Sequence, residues 1–124
     1  MLKYQEAAGL DGAFRALADP TRRRIVERLS GGPASVSDVA ARLPMSLPAV
    51  HQHLQVLVGA GLMTWEKRGR VRWCRLEAVR LREVEDWVLA RRLAWTRRLD
   101  ALEAHFHADA RREKSGEQRG KRRP

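Results

Sequence analysis

Two polar stretches in the middle of the chain contain side chains that could bind a ligand or a partner. The first is Ser46–Leu57, which includes His51, Gln52 and Gln55. The second is Lys67–Arg75, which holds five basic residues and no acidic one. Glutamine can pair bidentately with an adenine edge, histidine can donate to guanine N7 or to a phosphate, and guanidinium groups bind phosphate. This chemistry is recognition of a polyanion rather than catalysis.

The overall charge points the same way. The 124 residues contain 25 lysines and arginines against 15 acidic residues, a net charge of +10. The last 14 residues carry +5 and the preceding 110 carry the other +5, so the predicted folded part is itself basic. A basic domain favours a partner such as nucleic acid.

Several function classes are disfavoured by what the sequence lacks. We find no Ser/His/Asp constellation at an interpretable spacing and no glycine-rich phosphate loop, so we expect no enzyme and no cofactor. Cys74 is the single cysteine, which rules out an intramolecular disulfide and a cysteine-based zinc site within one chain. No apolar run approaches the roughly 20 residues of a membrane span, and the N-terminus lacks the apolar stretch of a secretion signal, so we expect a cytoplasmic protein.

Apolar spacing and helix-capping residues predict the secondary structure around the two polar stretches. Leu10, Phe14 and Leu17 lie on one face of a first helix. Asp19-Pro20 begins a second helix that ends near Leu29. Ser35, followed by Asp38, predicts a third helix over Val36–Leu43.

Ser46 predicts the start of a fourth helix, in which Val50, Leu54, Leu57 and Val58 form the apolar side. Two short helices joined by about three residues are typical of a helix-turn-helix. The opposite face of the fourth helix would then meet the DNA major groove. The candidate DNA contacts on this helix are Ser46, Leu47, Pro48, His51, Gln52 and Gln55.

A basic β-hairpin is predicted after the fourth helix. Gly61 suits the left-handed position that ends helices, and Leu62–Leu76 is rich in β-favouring residues around a tip at Arg68-Gly69. The strand register stays open at this point. Arg68, Arg70 and Arg72 are the candidate contacts of this hairpin to phosphates or to a narrow minor groove.

One helix of about 30 residues is predicted from Ala78 to His107, because this range lacks glycine and proline and repeats apolar residues at steps of three and four. Such a helix is longer than the surface that the predicted core offers to it, so part of its apolar stripe should pack against a second copy of the chain. The predicted dimer interface is Leu10, Phe14, Val84, Trp87, Val88, Trp95, Leu99 and Leu102. We expect one DNA-binding and dimerisation domain over 1–110, followed by a disordered basic tail over Arg111–Pro124.

Three segments in this order resemble the ArsR/SmtB-type bacterial winged-helix repressors. They are Ala16–Val26, Ser46–Leu57, and Gly61-Leu62 with the basic hairpin that follows. The resemblance implies a mainly α-helical winged helix-turn-helix with a small β-hairpin and a long C-terminal dimerisation helix. It also implies a homodimer, built from the first and last helices, that binds a pseudo-palindromic operator in double-stranded DNA and represses transcription, often of its own operon.

The chain departs from the metal-sensing members of that family. Those members carry a Cys-x-Cys pair on the third helix or Asp and His ligands on the last one. Here the third helix has no thiol, and His105 and His107 are two residues apart, about 200° around a helix, so they cannot bind one ion together. Trp95 and Leu99–Glu103 resemble the branch that lacks metal ligands, and we therefore expect no metal site.

Alternative interpretations stay open at this point. There are two alternatives to a specific repressor. One is a nucleoid-type protein that coats DNA through charge alone, and the other is a metal-responsive sensor of the same fold. We expect His53 to be structural and Cys74 to be an ordinary packed thiol. Arg22, Arg23 and Arg24 lie at a helix start, where positive charge opposes the helix dipole, so they should have a carboxylate or a phosphate as partner.

Overall fold

A computed structural model describes the backbone of residues 2–121 and the side chains of residues 9–116. Five helices and three short strands make up this part of the chain. In chain order they are α1 (Leu2–Leu17), α2 (Pro20–Ser30), β1 (Ala34–Ser35), α3 (Val36–Ala41), α4 (Leu47–Gly59), β2 (Met63–Arg68), β3 (Val71–Leu76) and α5 (Ala78–Lys121). The predicted winged helix-turn-helix arrangement is confirmed.

The three predicted helix caps are present. Asp19, Ser35 and Ser46 each have extended backbone and accept a hydrogen bond from the amide three residues on, at 3.0, 3.1 and 3.4 Å respectively. A side-chain oxygen in this position satisfies one of the amides that a helix start leaves unpaired. The caps therefore fix where α2, α3 and α4 begin, while α3 ends at Ala41, two residues before the predicted end.

The hairpin is part of an antiparallel sheet with the order β1-β3-β2. Trp65 lies opposite Cys74 and Lys67 lies opposite Arg72. The loop is Gly69-Arg70, one residue later than predicted, and Gly69 has a φ of +64°, which is the position that favours glycine in a two-residue hairpin loop. Strand β1 was not predicted, because two residues are too few to show an alternating pattern.

A single buried cluster lies between the first four helices and the sheet. Its members are Ala13, Ala16, Ile25, Leu29, Ala34, Val39, Val50, Leu54, Leu57, Leu62, Met63 and Cys74. Helix α4 contributes Val50, Leu54 and Leu57, and all three are 0% exposed. Burying a side chain of this size contributes about 1.5–3 kcal/mol, so these residues determine which face of α4 points outward.

Helix α5 is 44 residues long and extends beyond its predicted end at His107. The segment 111–121 is helical, which differs from the predicted disordered tail, and residues 122–124 lie outside the described residues. The physical reason is that arginine, lysine and glutamate are good helix formers, so a helix already begun can continue without a new nucleation cost. None of the described helices is long and apolar enough to cross a membrane.

The contacts divide the chain into two units, residues 1–86 and residues 87–124. The first unit holds the helix-turn-helix, the sheet and the start of α5, and the second is the rest of α5. Leu81 and Val84, in the first turns of α5, pack against the buried cluster of the first unit. The boundary predicted near residue 110 stays a prediction.

The Asp19 cap makes the stability of the fold depend on pH. The hydrogen bond from the Arg22 backbone amide lowers the pKa of the Asp19 carboxyl below its ordinary value of 3.8. The stabilisation is therefore fully present above that value and is lost as the pH falls through the lowered pKa. Asp19→Asn keeps a capping oxygen but cannot titrate, and we expect wild type to have the higher Tm at neutral pH and to lose this advantage in acid.

Thermal unfolding of both proteins between pH 7 and about pH 2.5, followed by circular dichroism, checks this expectation. A difference in Tm that stays constant across that range would contradict it.

Candidate nucleic-acid interface

The outer face of α4 carries the candidate contacts predicted from the sequence. Ser46, Leu47, Pro48, Gln52 and Gln55 are exposed, and His51 is partly buried. Leu47 is 53% exposed, which is high for a large apolar side chain. The Ser46 hydroxyl already accepts the capping hydrogen bond from the Ala49 amide. The structure therefore brings the six residues together on one helix, with Ser46 also committed to the cap.

The strand register separates the side chains of the hairpin onto two faces. Met63 and Cys74 are buried and Trp65 is partly buried, so these three point toward the core. Lys67 and Arg72 continue the same face, since side chains alternate along a strand. The outer face carries Thr64, Glu66, Arg68, Val71, Trp73 and Arg75.

The three arginines predicted to act together therefore have different surroundings. Arg68 lies on the outer face, and its guanidinium is 3.4 Å from the Glu66 carboxylate. Arg70 is exposed in the loop and Arg72 is exposed on the face that points toward α4. Sequence reasoning missed Lys67, which belongs with Arg72, because only the register shows that the two residues are directly opposite.

Trp65 contacts both α4 and the opposite strand. Its ring centroid is 5.8 Å from that of His51, with an angle of 51° between the planes. On the hairpin, the guanidinium carbon of Arg72 lies 4.5 Å from the centroid of the Trp65 ring. These two contacts join the outer face of α4 to the basic face of the hairpin.

The arginines at the start of α2 have partners that were not predicted. Arg22 donates from Nε to the Ala16 carbonyl at 2.7 Å and from Nη2 to the Arg15 carbonyl at 3.2 Å. Arg23 donates to the Leu17 carbonyl at 2.9 Å. Both guanidinium groups thus bind the C-terminal end of α1, where positive charge is favourable. Arg22 also lies close enough to the Asp19 carboxylate to lower its pKa, which agrees with the expected carboxylate partner, whereas the partner of Arg23 among the described residues is a carbonyl.

His53 and Cys74 have the structural roles predicted for them. The His53 Nδ1 atom is 3.3 Å from Arg22 Nη1 and 3.8 Å from the Asp19 carboxylate, so the ring is part of the junction between α1, α2 and α4. Cys74 is 0% exposed, and burial raises the pKa of its thiol. A buried thiol of raised pKa is a poor nucleophile.

Within residues 9–116, no group of three or more His, Cys, Asp and Glu side chains is arranged to hold a metal ion. His105 and His107 each lie near a different carboxylate of α5. The His105 Nε2 atom is 3.3 Å from Asp109, and the His107 Nε2 atom is 3.9 Å from Glu103.

The predicted dimer-interface residues fall in both units. In the first unit, Leu10 is partly buried, Phe14 is exposed, and Val84 packs partly against the core. In the second unit the exposed large apolar residues of α5 are Trp87, Val88, Leu93, Trp95, Leu99, Leu102 and Phe106. Trp95 is 61% exposed. Several exposed large apolar side chains on one helix are typical of an interaction site.

Comparison with known proteins gives matches to helix-turn-helix transcriptional regulators. A family model described as a helix-turn-helix domain matches residues 17–64. The HTH-type transcriptional regulator Rv2034 of Mycobacterium tuberculosis is 58% identical over 53 residues, which is 43% of this chain and 50% of that relative. The transcriptional repressor SdpR of Bacillus subtilis is 30% identical over 80 residues, 64% of this chain and 89% of the repressor. The chain thus spans half the length of the first relative and most of the second.

Solved structures show the same similarity in three dimensions. The crystal structure of an ArsR family transcriptional regulator has a TM-score of 0.69 and 41% identity, covering 73% of this chain and 93% of that one. The solution structure of a homodimeric winged helix-turn-helix DNA-binding domain from Mycobacterium bovis has a TM-score of 0.56 and 25% identity, covering 72% of this chain and 82% of that domain.

The Arg22 contacts predict a variant that affects stability alone. Arg22→Gln removes two hydrogen bonds to the end of α1, and we expect the free energy of unfolding to fall by about 1–3 kcal/mol. The salt dependence of duplex binding should stay unchanged, because this guanidinium is used inside the fold. Denaturant titration and fluorescence anisotropy at several salt concentrations measure the two quantities.

Arg24→Gln is the matched control, since Arg24 is exposed on the same helix, and its effect on stability should stay within about 0.5 kcal/mol. Normal stability of Arg22→Gln combined with a shallower salt dependence would show that Arg22 binds phosphate instead.

Proposed function

Because the chain belongs to the ArsR family of helix-turn-helix transcriptional regulators, we propose that it binds a pseudo-palindromic operator as a homodimer and represses its own or a neighbouring operon. A protein with this role works where the chromosome is, so a cytoplasmic location is part of the proposal. The resemblance to a protein named as a repressor supports the sign of regulation.

The observation that carries the proposal is the orientation of α4. Val50, Leu54 and Leu57 on its inner side are fully buried, so Gln52 and Gln55 point away from the core. A helix placed in this way in a winged helix-turn-helix enters the major groove, where glutamine can form two hydrogen bonds to adenine. Leu47 and Pro48 cannot hydrogen-bond a base, but an apolar side chain can contact a thymine methyl group.

The hairpin supplies a second contact that does not depend on sequence. Arg70 and Arg72 are exposed and have no acidic partner among the described residues, whereas Arg68 is paired with Glu66. Guanidinium groups that reach phosphates set position and affinity without reading bases. In this division of labour α4 selects the operator and the hairpin adds affinity.

A homodimer would present α4 twice, as a pseudo-palindromic operator requires. Exposed apolar residues support it within each unit: Phe14 on α1 in the first unit, and the apolar stripe of α5 in the second. The known homodimer of the Mycobacterium bovis domain supports the same assembly. Large exposed aromatic side chains such as Trp95 are the type of residue that anchors protein interfaces.

Two variants separate base recognition from phosphate contact. Gln52→Ala should weaken binding to the operator by about 1–3 kcal/mol and leave binding to random duplex unchanged, whereas Arg70→Ala should weaken binding to both equally. Fluorescence anisotropy of the full chain, on DNA from upstream of its own gene and on random duplex of equal length, measures these affinities.

Equal affinity of wild type for the two duplexes would contradict an operator and favour a protein that coats DNA through charge alone. Equal effects of both variants on both duplexes would contradict the division of labour.

The dimer interface on α5 can be tested without DNA. Trp95→Glu places a charge in the apolar stripe, and we expect the sedimentation mass to fall from that of a dimer to that of a monomer, because an unpaired buried charge is costly. Arg97→Glu is the control, since residue 97 lies about 200° around the helix from residue 95 and away from the face that carries Trp95, Leu99 and Leu102. A dimer mass that Trp95→Glu leaves unchanged would contradict this interface.

A further inference from the structure

Lys67 and Arg72 form an unusual pair across the hairpin. They lie directly opposite each other on the face that points toward α4. Directly opposite side chains have Cβ atoms about 4.5–5.5 Å apart, and like charges in this arrangement destabilise a sheet. Glu66 cannot offset the repulsion, because it lies on the other face and pairs with Arg68. Neither cation of the pair forms an ion pair with any side chain of residues 9–116, so the pair lacks an anion.

Trp65 fixes the position of one member of this pair. It precedes Lys67 by two residues on the same face, and the Arg72 guanidinium lies 4.5 Å from the centroid of its ring. A stacked guanidinium keeps its N–H groups free at the edges, where they can donate to an oxygen acceptor. The stack therefore holds the Arg72 side chain in place and leaves the N–H donors of its guanidinium free.

Trp65 is itself held by the fold. Its neighbours across and along the sheet, Cys74 and Met63, are fully or almost fully buried, which anchors this part of β2 and β3. The other contact of the ring is to His51 of α4, at 5.8 Å between centroids. Trp65 thus sets the distance between a residue on the outer face of α4 and a cation of the hairpin.

We propose that Lys67 and Arg72 bind one phosphate of the DNA backbone, and that Trp65 is the positioning residue that places this site beside α4. The pair is named here the wing phosphate site. An oxyanion between the two cations would remove their repulsion, and the site is continuous through Trp65 and His51 with the surface that meets the major groove. The inference rests on the proposed DNA-binding function and specifies which backbone contact the hairpin makes.

The first test uses the salt dependence of binding by the full chain. Lys67→Gln, Arg72→Gln and the double variant should all reduce the slope of log affinity against log salt by about 0.9, the value for one lost phosphate contact, because one phosphate needs both cations. Arg75→Gln is the matched control. Arg75 is an exposed arginine of the same strand as Arg72, but it lies on the outer face, and its removal should leave the slope unchanged.

The second test asks whether Trp65 acts through Arg72. Trp65→Leu should weaken operator binding by about two- to fivefold, the factor that an exposed cation–π contact is worth. In the Arg72→Gln background the same change should have a clearly smaller effect, since there is no guanidinium left to hold. Trp65→Phe keeps an aromatic face and should retain most of the affinity, which also covers the case in which Trp65→Leu fails to fold.

If Trp65 served folding alone, Trp65→Leu would lower the Tm, and its effect on operator affinity would be the same with and without Arg72. Trp73→Leu is the control for that case, because Trp73 is a tryptophan on the outer face of the same hairpin. Trp73→Leu should leave the operator affinity unchanged, both in the wild-type background and in the Arg72→Gln background.

The outcomes distinguish this inference from the proposed function. If wild type prefers its operator but Lys67→Gln and Arg72→Gln give the slope of Arg75→Gln, the wing phosphate site is wrong and the function stands. If Trp65→Leu weakens operator binding by the same factor in the wild-type and in the Arg72→Gln backgrounds, Trp65 does not position Arg72. If wild type shows no operator preference, the function itself fails.

Discussion

Burial of one side of α4 fixes the orientation of the helix and, with it, the surface that the first unit exposes. Val50, Leu54 and Leu57 are fully buried at the centre of the cluster that joins the helices to the sheet. Each contributes about 1.5–3 kcal/mol, which is a large share of the 5–15 kcal/mol that stabilises a typical domain. Rotating α4 to bury Gln52 would lose most of that energy. The exposure of the candidate recognition surface is thus a consequence of packing.

The register of the hairpin is the second constraint, and it has the same origin. A slip of one residue between β2 and β3 would move every side chain to the other face. Cys74 and Met63 are buried on one face, so a slip would expose them and bury charged residues. The packing of two apolar side chains therefore also decides which cations point toward α4 and which one pairs with Glu66.

The sequence was sufficient for the elements whose signals are local. Caps at Asp19, Ser35 and Ser46 and the apolar spacing of α4 predicted the helix-turn-helix and its outer face. Contacts between distant residues could not be predicted in this way. The carbonyl partners of Arg22, the pairing of β1 with β3 and the placing of Lys67 beside Arg72 depend on tertiary packing. The length of α5 was underestimated because its polar end has no apolar pattern, although its residues favour a helix.

In the proposed function, α4 reads a defined DNA site and a symmetric pair of chains presents this helix twice. Footprinting of the full chain on the DNA upstream of its own gene tests both parts of that proposal. We expect two protected half-sites related by two-fold symmetry, with centres about 10 base pairs or a multiple of this apart, and guanine N7 atoms protected in the major groove of each. Uniform protection along the fragment, or a single half-site without symmetry, would contradict the claim.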